Sequence, residues 1–222
     1  IFILQRVYNN GKVYVYNLDG SPITDFPTTI IDTSPSCMKC LSVDNNHCYV
    51  GATGNVIGPV KYAHIARFSH DGTYQMNWKV GSGTYGSGVQ GVSSDGNYVY
   101  VTSTYGLHKY TTSGALVWEF PYRGAGIGKF WTAFDMWSDG THVFVIDYSD
   151  YKILKYLCSD GSFILEAENM VPASPTAITV DDKYVYVNVI DYKTKKKLYR
   201  FVLDWDDKVE EELIKNKLAK ID

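Results

Sequence analysis

Short runs in which Val alternates with an aromatic residue recur along the chain, and Asp-Gly, Asn-Gly or Ser-Gly pairs separate many of the runs. The clearest runs read VYVY from Val13, YVYV from Tyr98, HVFV from His142 and YVYV from Tyr184. A period of two is typical of a β-strand, and the glycine-containing pairs suit two-residue hairpin turns because they accept a positive φ. The pattern therefore predicts an all-β chain of antiparallel hairpins.

Two motifs repeat at one period and in a fixed order. The first is an apolar residue, any residue, a basic or apolar residue and an aromatic, and its aromatics are spaced by 52, 42, 46 and 45 residues: Tyr16, Phe68, Tyr110, Tyr156 and Phe201. The second is an Asp turn followed by Val and aromatics: DNNHCYV from Asp44, DGNYVYV from Asp95, DGTHVFV from Asp139 and DDKYVYV from Asp181. Periods of 40 to 50 residues indicate an array of structural repeats.

Each repeat contains four strand-like runs, here called A to D in chain order, and four antiparallel strands without helices make a propeller blade. The sequence thus predicts a β-propeller of about five four-stranded blades over residues 1–205. The expected units are 1–26, 27–80, 81–120, 121–168 and 169–205. The first unit begins at its strand B, and the last has no clear strand D. Residues 206–222 are expected to form a short C-terminal helix or linker, because Val209, Leu213 and Ile214 share one helical face.

The segment THVFVIDYSDYKILKYLCSDGSFI, residues 141–164, resembles the NHL repeat. NYVYVTSTYGLHKYTTSGALVWEF, from Asn97, is similar to the repeat of quinoprotein propellers, whose strand D ends in Trp-Glu or Trp-Ser. The NHL resemblance implies a propeller that binds protein, RNA or glycan, with a minority of enzymes among its relatives.

Charge and hydropathy limit the classes of partner that the chain is expected to bind. The net charge of −3 gives no global basic field for nucleic acid or anionic membranes. No apolar run approaches the roughly 18 residues of a membrane span, so membrane insertion is not expected. The opening IFILQRVY is too short for a signal peptide. The basic run KTKKK, residues 193–197, is either a solvated turn or a phosphate-contacting edge for RNA.

The cysteines allow two interpretations. Cys37, Cys40 and Cys48 lie within twelve residues beside His47, which is a zinc-like set of ligand types. The repeat alignment, however, places Cys40 and Cys48 in strands, which favours buried free thiols. Few or no disulfides favour a reducing compartment and hence the cytoplasm.

Ligands of propellers usually bind at the loops that join strand D to the next strand A and strand B to strand C. These loops supply most of the candidate ligand-binding residues, and strand A adds Asp135. The loop candidates are Tyr85, Tyr105, Arg123, Lys129, Trp131, Asp147, Tyr148 and Tyr192. Aromatic rings with a few polar groups suit sugar rings, bases or peptide side chains. The alternative is that the aromatics pack between blades and that Asp135 bonds neighbouring backbone.

Signals for catalysis are sparse. Corresponding strand A positions hold Cys40, Gly91, Asp135 and Ala177, so only one is a carboxylate, whereas calcium takes six to eight oxygen ligands. No catalytic residue, metal or cofactor is therefore assigned. The expected function is a non-enzymatic scaffold that binds a protein or glycan, with RNA as a further partner. The alternatives are a metal-dependent lactonase or lyase of the six-bladed type, and a structural component that assembles through the C-terminal helix.

Overall fold

β-Strands account for all the regular secondary structure in the described part of the chain. The computed structural model describes residues 2–5, 12–26, 37–55, 61–81, 88–104, 106–121, 123–167, 174–181, 183–191, 195–202 and 219–220. Nineteen strands lie in these ranges, and none of the ranges contains a helix long and apolar enough to cross a membrane. Contacts divide the chain into two compact units, Ile1–Pro121 and Tyr122–Asp222.

The first unit contains three antiparallel sheets in which each strand pairs with the next along the chain. The three-stranded sheet has β1 (Phe2–Gln5), β2 (Lys12–Tyr16) and β3 (Pro22–Phe26). The second sheet has β4 (Cys37–Val43), β5 (His47–Asn55), β6 (Lys61–Ser69) and β7 (Tyr74–Lys79). The third has β8 (Val89–Ser94), β9 (Tyr98–Ser103), β10 (Leu107–Thr111) and β11 (Leu116–Phe120). Strand β4 contacts β8, so the first strands of the two complete sheets are neighbours.

The second unit contains two four-stranded antiparallel sheets of the same kind. One has β12 (Ala133–Ser138), β13 (His142–Asp147), β14 (Lys152–Leu157) and β15 (Phe163–Ala167). The other has β16 (Ser174–Val180), β17 (Tyr184–Asp191), β18 (Lys195–Val202) and β19 (Ala219–Lys220). Their first strands, β12 and β16, are also neighbours. Four sheets therefore have the four strands of a complete propeller blade, and the sheet β1–β3 has three.

The C-terminal segment differs from the prediction where the structure describes it. Ala219 and Lys220, expected in the C-terminal helix, pair antiparallel with Arg200 and Tyr199 of β18. An outer strand edge presents unpaired backbone N–H and C=O groups, and even two residues of strand satisfy some of them. The rest of the expected helix or linker, residues 206–218 and 221–222, lies outside the described residues.

The repeated Asp of the second sequence motif closes the A–B hairpin of each complete blade. One oxygen of Asp44, Asp95, Asp139 and Asp181 accepts the backbone N–H groups of the second and third residues that follow, at 2.5–2.8 Å. This is the Asx turn, in which a side chain replaces a backbone acceptor. These bonds favour the ionised carboxylate and lower the pKa of Asp181. The Asp that marks each repeat thus has a local structural role.

The basic residue of the first motif also has a structural role. Lys109 Nζ lies 3.8 Å from the ring centroid of Tyr98, and Arg200 Cζ lies 4.5 Å from that of Tyr184. A cation over an aromatic face is attracted by the ring quadrupole, the more so when both groups are desolvated. Lys109 is indeed buried. In these two blades the basic residue of the first motif, on strand C, therefore stabilises the blade through an aromatic ring of strand B.

A β-bulge recurs in strand A of all four complete blades. The register with strand B shifts at the same place in each, so that one residue is left over: Lys39, Gln90, Phe134 and Thr176. A bulge bends its strand and redirects a side chain. Lys39 Nζ donates to Gln90 Oε1 at 3.3 Å, and the ring of Phe134 stacks on that of Tyr148. The bulges thus direct strand A side chains toward the neighbouring blade and the adjoining loops.

Candidate functional site

Asp147, the last residue of β13, holds two loops together. Its Oδ2 accepts the N–H of Trp131 at 2.8 Å, and its Oδ1 accepts the N–H groups of Thr132 and Ser149 at 3.1 and 3.0 Å. Ser149 Oγ donates to Thr132 Oγ1 at 2.8 Å, and the N–H of Tyr148 donates to the Thr132 carbonyl. The side chain of Asp147 is fully buried. We refer to these two loops, residues 123–132 and 148–151, as the loop face.

A buried ion pair helps to position the loop face. Lys152 Nζ lies 3.2 Å from Glu166 Oε2 and 3.8 Å from Asp150 Oδ2, and the lysine side chain is only 5% exposed. The same Glu166 oxygen accepts the N–H of Gly128 at 3.3 Å. A buried charge must be paired, so Glu166 both neutralises Lys152 and positions the 123–132 loop.

Gly128 is required where the loop passes over strand β15. Its φ is +69°, and a Cβ placed there would lie 2.7 Å from the ring of Phe163. Its carbonyl accepts the hydroxyl of Tyr156 at 3.2 Å. A left-handed backbone in direct contact with a ring leaves room for glycine alone.

The loop face exposes apolar side chains although its backbone is fixed. Ile127 is 81% exposed, Trp131 45% and Tyr151 41%. Among the described residues of the second unit, the only other large apolar side chain with such exposure is Leu198. Tyr151 has a φ of 53°, which is unusual for a residue with a side chain. These three side chains lie on the two loops that Asp147 joins, and contiguous exposed apolar groups are typical of interaction sites.

The structure separates the predicted aromatic and basic site residues into three groups. Arg123, Lys129 and Trp131 are exposed on the loop face. Tyr148 is half-buried, with its ring centroid 5.4 Å from that of Phe134. Tyr85, Tyr105 and Tyr192 lie outside the described residues, and so do Lys193 and Thr194 of the basic run.

The two predicted aspartates have positioning roles. Both oxygens of Asp147 already accept backbone N–H groups, and Asp135 Oδ2 accepts the N–H of Ile178 in the next blade at 3.1 Å. In the structure Asp135 therefore does bond neighbouring backbone, which was the alternative interpretation of this residue. The sequence does not single out Ile127 as a candidate. It lies in a glycine-rich loop outside the repeated motifs, so there is no equivalent position in the other blades with which to compare it.

A second polar cluster lies in the blade β8–β11. Ser103 Oγ is 2.8 Å from His108 Nε2, and both side chains are buried. His108 is paired across the strands with Glu119. Burial lowers the pKa of His108 to about 4, against an opposing effect of the Glu119 charge, so the imidazole is neutral at pH 7. A neutral imidazole bonded to a serine hydroxyl has the chemistry of a general base.

A comparison of the blade sequences could have identified this cluster. The motif alignment places Ala66, Leu154 and Tyr199 at the positions that correspond to His108. Gly81 lies against the imidazole, since a Cβ built on it would be 3.2 Å from His108 Cε1. His108 is thus a polar residue in a layer that is otherwise apolar.

The described cysteine side chains are buried thiols. Cys40, Cys48 and Cys158 form no disulfide, and burial raises the pKa of Cys48 to about 12. Within the described ranges, no group of three or more His, Cys, Asp or Glu side chains is placed to hold a metal ion. The side chain of Cys37 lies outside the described residues.

Comparisons with known proteins show a fold and no family. No family model matches the sequence, and no curated protein matches it. Among solved structures, the chain is similar to a protein of unknown function from Bacteroides caccae, with a TM-score of 0.64 and 9% identity over 99% of this chain and 71% of that one. It is also similar to the glutaminyl cyclase of Myxococcus xanthus, with a TM-score of 0.51 and 12% identity over 74% of this chain. The match spans 65% of the cyclase. Together with the four complete blades, these similarities indicate a β-propeller fold, whereas the assignment to NHL repeats stays a prediction.

Proposed function

We propose that this chain is a binding module, and that its loop face recognises a protein or glycan ligand. The observation that carries the proposal is the exposure of Ile127, Trp131 and Tyr151 on loops whose backbone Asp147 fixes. A fixed loop loses little conformational entropy when a ligand binds, so its exposed rings contribute affinity at low cost.

An array of glycans and peptides, probed with the purified chain, tests this proposal. We expect Trp131→Ala to weaken every specific signal at least tenfold, because Trp131 exposes 45% of its surface and tryptophan is among the residues that contribute most to binding energy. Leu116→Ala is the matched control, since Leu116 is 50% exposed on β11 of the other unit. If Trp131→Ala binds as the unchanged chain does, the ligand site lies elsewhere.

An enzyme is the second candidate, favoured by the bond between Ser103 and the neutral His108. The similarity to a glutaminyl cyclase is limited to the fold. It therefore justifies an assay but does not assign an activity. Ammonia release from peptides that begin with glutamine, and acid release from lactones, are measured with and without calcium or zinc. Turnover that Ser103→Ala abolishes and Trp131→Ala preserves would favour the enzyme. Absence of turnover under all these conditions favours the binding module.

A further inference from the structure

We infer that one face of the blade β16–β19 is a docking surface for a second copy of this chain, which binds it through the sheet β1–β3. We call this surface the open face, and the described residues that share it are Thr179, Tyr184, Tyr186, Asn188, Leu198 and Arg200. The inference does not depend on the loop face or on its ligand. It follows from the way in which adjacent sheets pack within each unit.

Adjacent sheets pack in the same manner at three places in the two units. At each place, residues of one sheet share a buried apolar cluster with strand B of the next sheet along the chain. The clusters join Val13 and Val15 to Cys48 and Val50, Tyr49 and Ile65 to Val99 and Val101, and Phe144 and Ile153 to Val185 and Val187. A sheet inside such a stack therefore has one face toward the preceding sheet and one toward the following sheet.

The blade β16–β19 uses one of its faces within its own unit. Val185, Val187 and Val189 of β17 belong to the cluster shared with the blade β12–β15. Because successive side chains of a strand point to opposite faces, Tyr184 and Tyr186 lie on the other face. That other face is the open face, and it corresponds to the one that the next blade covers elsewhere.

The open face keeps the apolar residues of a buried face although it is exposed. Leu198 is 46% exposed, whereas the residues at the same position of strand C in the other complete blades are fully buried: Ile65, Leu107 and Ile153. Tyr186 is half-buried, and its counterparts on strand B are again fully buried: Tyr49, Tyr100 and Phe144. Terminal units of stacked repeats normally have a polar outer face for solubility. An exposed leucine at a core position therefore indicates a face that another sheet covers.

The sheet β1–β3 has the complementary face. Its Val13 and Val15 pack toward the blade β4–β7, so Tyr14 lies on the opposite face, where it is half-buried. The motif alignment places Ala66 at the position of Tyr14 in the next repeat. Ala66 is buried in the cluster that its blade shares with the preceding sheet. The Tyr14 face of a second copy would therefore pack on the open face as the blade β4–β7 packs on β1–β3.

The rings of the open face are held in place before any partner binds. The hydroxyl of Tyr186 donates to Asp181 Oδ2 at 2.9 Å, and Arg200 Cζ lies 4.5 Å from the ring centroid of Tyr184. Side chains that are already fixed lose little conformational entropy on association. Since the two faces differ, the contact is heterologous, and such contacts build either closed rings or open chains of copies.

Sedimentation velocity of the full chain tests the inference. We expect the average mass to rise above that of the monomer as the concentration increases from about 1 to about 200 µM, because association follows mass action. Leu198→Lys should weaken the association at least about tenfold, since it places an ammonium group in the contact. Leu116→Lys is the matched control, because Leu116 is 50% exposed on β11 and lies outside both faces.

A mixture of two variants tests which faces meet. Leu198→Lys damages the open face, Tyr14→Lys damages the face of β1–β3, and each variant alone should remain monomeric. Mixed in equal amounts, they retain one intact pair of faces and should form a dimer with one copy of each. Hydroxyl-radical footprinting of the unchanged chain needs no variant, and Leu198 and Tyr14 should become protected at the higher concentration while Ile127 stays oxidised.

The contrary outcomes separate the surface from its occupant. A chain that is monomeric up to about 200 µM, or association that Leu198→Lys leaves unchanged, would overturn the inference. Association of Tyr14→Lys alone as strong as that of the unchanged chain would show that the open face binds some other surface, and the β1–β3 sheet would be wrong as the occupant. If Tyr14→Lys does not fold, the footprint decides, because Tyr14 oxidised equally at both concentrations would exclude its face from the contact.

Discussion

Replacement of Asp147 by Val tests whether one carboxylate holds the loop face. Valine suits the blade itself, because Val189 occupies the corresponding position of β17 and is buried there. The change leaves the N–H groups of Trp131, Thr132 and Ser149 without their acceptor. A hydrogen bond to a charged group contributes about 1.5–3 kcal/mol, but water reaches these exposed loops and the three losses are not additive. We expect a total loss of about 3 kcal/mol, most of it local to the loops.

Hydrogen exchange provides the assay for Asp147→Val. A local loss of about 3 kcal/mol corresponds to exchange on the order of 100-fold faster at the amides of Trp131, Thr132 and Ser149. Ser149→Ala is the control, since it removes the Ser149–Thr132 hydroxyl bond and keeps all three bonds to the carboxylate. If these amides exchange at the same rate in Asp147→Val as in the unchanged chain, the carboxylate does not hold the loops and the reasoning is refuted.

Three further expectations concern stability and reactivity. Gly114→Ala should destabilise the first unit by about 2 kcal/mol in urea titration, because Gly114 has a φ of +83° and its Cβ would lie 3.0 Å from the ring of Trp78; an unchanged midpoint would contradict this. The pKa of His108 is lowered from 6.5 to about 4 in the folded chain, so stability should be full above pH 6.5 and fall as pH drops toward 4, by up to about 3 kcal/mol. His108→Leu, which copies Leu154, should flatten that dependence, and an equally steep profile would show that another group titrates. Cys48, whose thiol has a pKa of about 12, should resist iodoacetamide at pH 8 until the chain is unfolded, and rapid native labelling found at Cys48 by mass spectrometry would refute its burial.

The strands and their turns could be predicted because their signals are local. The alternation of Val with aromatics sets the two faces of strand B, and an Asp bonds N–H groups two and three residues away. Both patterns involve neighbours in the sequence, so they are visible without knowledge of the fold. The repeat then shows which runs belong to one blade.

The remaining features depend on contacts between distant residues. Strand β19 has only two residues, and it pairs with residues about twenty positions earlier, so its sequence carries no strand pattern. Asp147 occupies a strand position that holds Ala52, Ser103 or Val189 in the other complete blades, but only the fold brings its carboxylate to the N–H groups sixteen and fifteen residues before it. The sequence pattern therefore predicts Asp147 as a ligand-binding residue, and the structure adds that its carboxylate positions two loops.

Hydroxyl-radical footprinting tests the central claim, that the loop face binds the ligand, most directly. The chain is oxidised with and without a saturating concentration of the ligand found by array or titration, and the oxidation of exposed side chains is compared by mass spectrometry. We expect protection of Ile127, Trp131 and Tyr151, with Leu116 and Leu198 oxidised as before. Protection confined to Leu116, Leu198 or other surfaces, with the loop face oxidised as fully as in the free chain, would contradict the account.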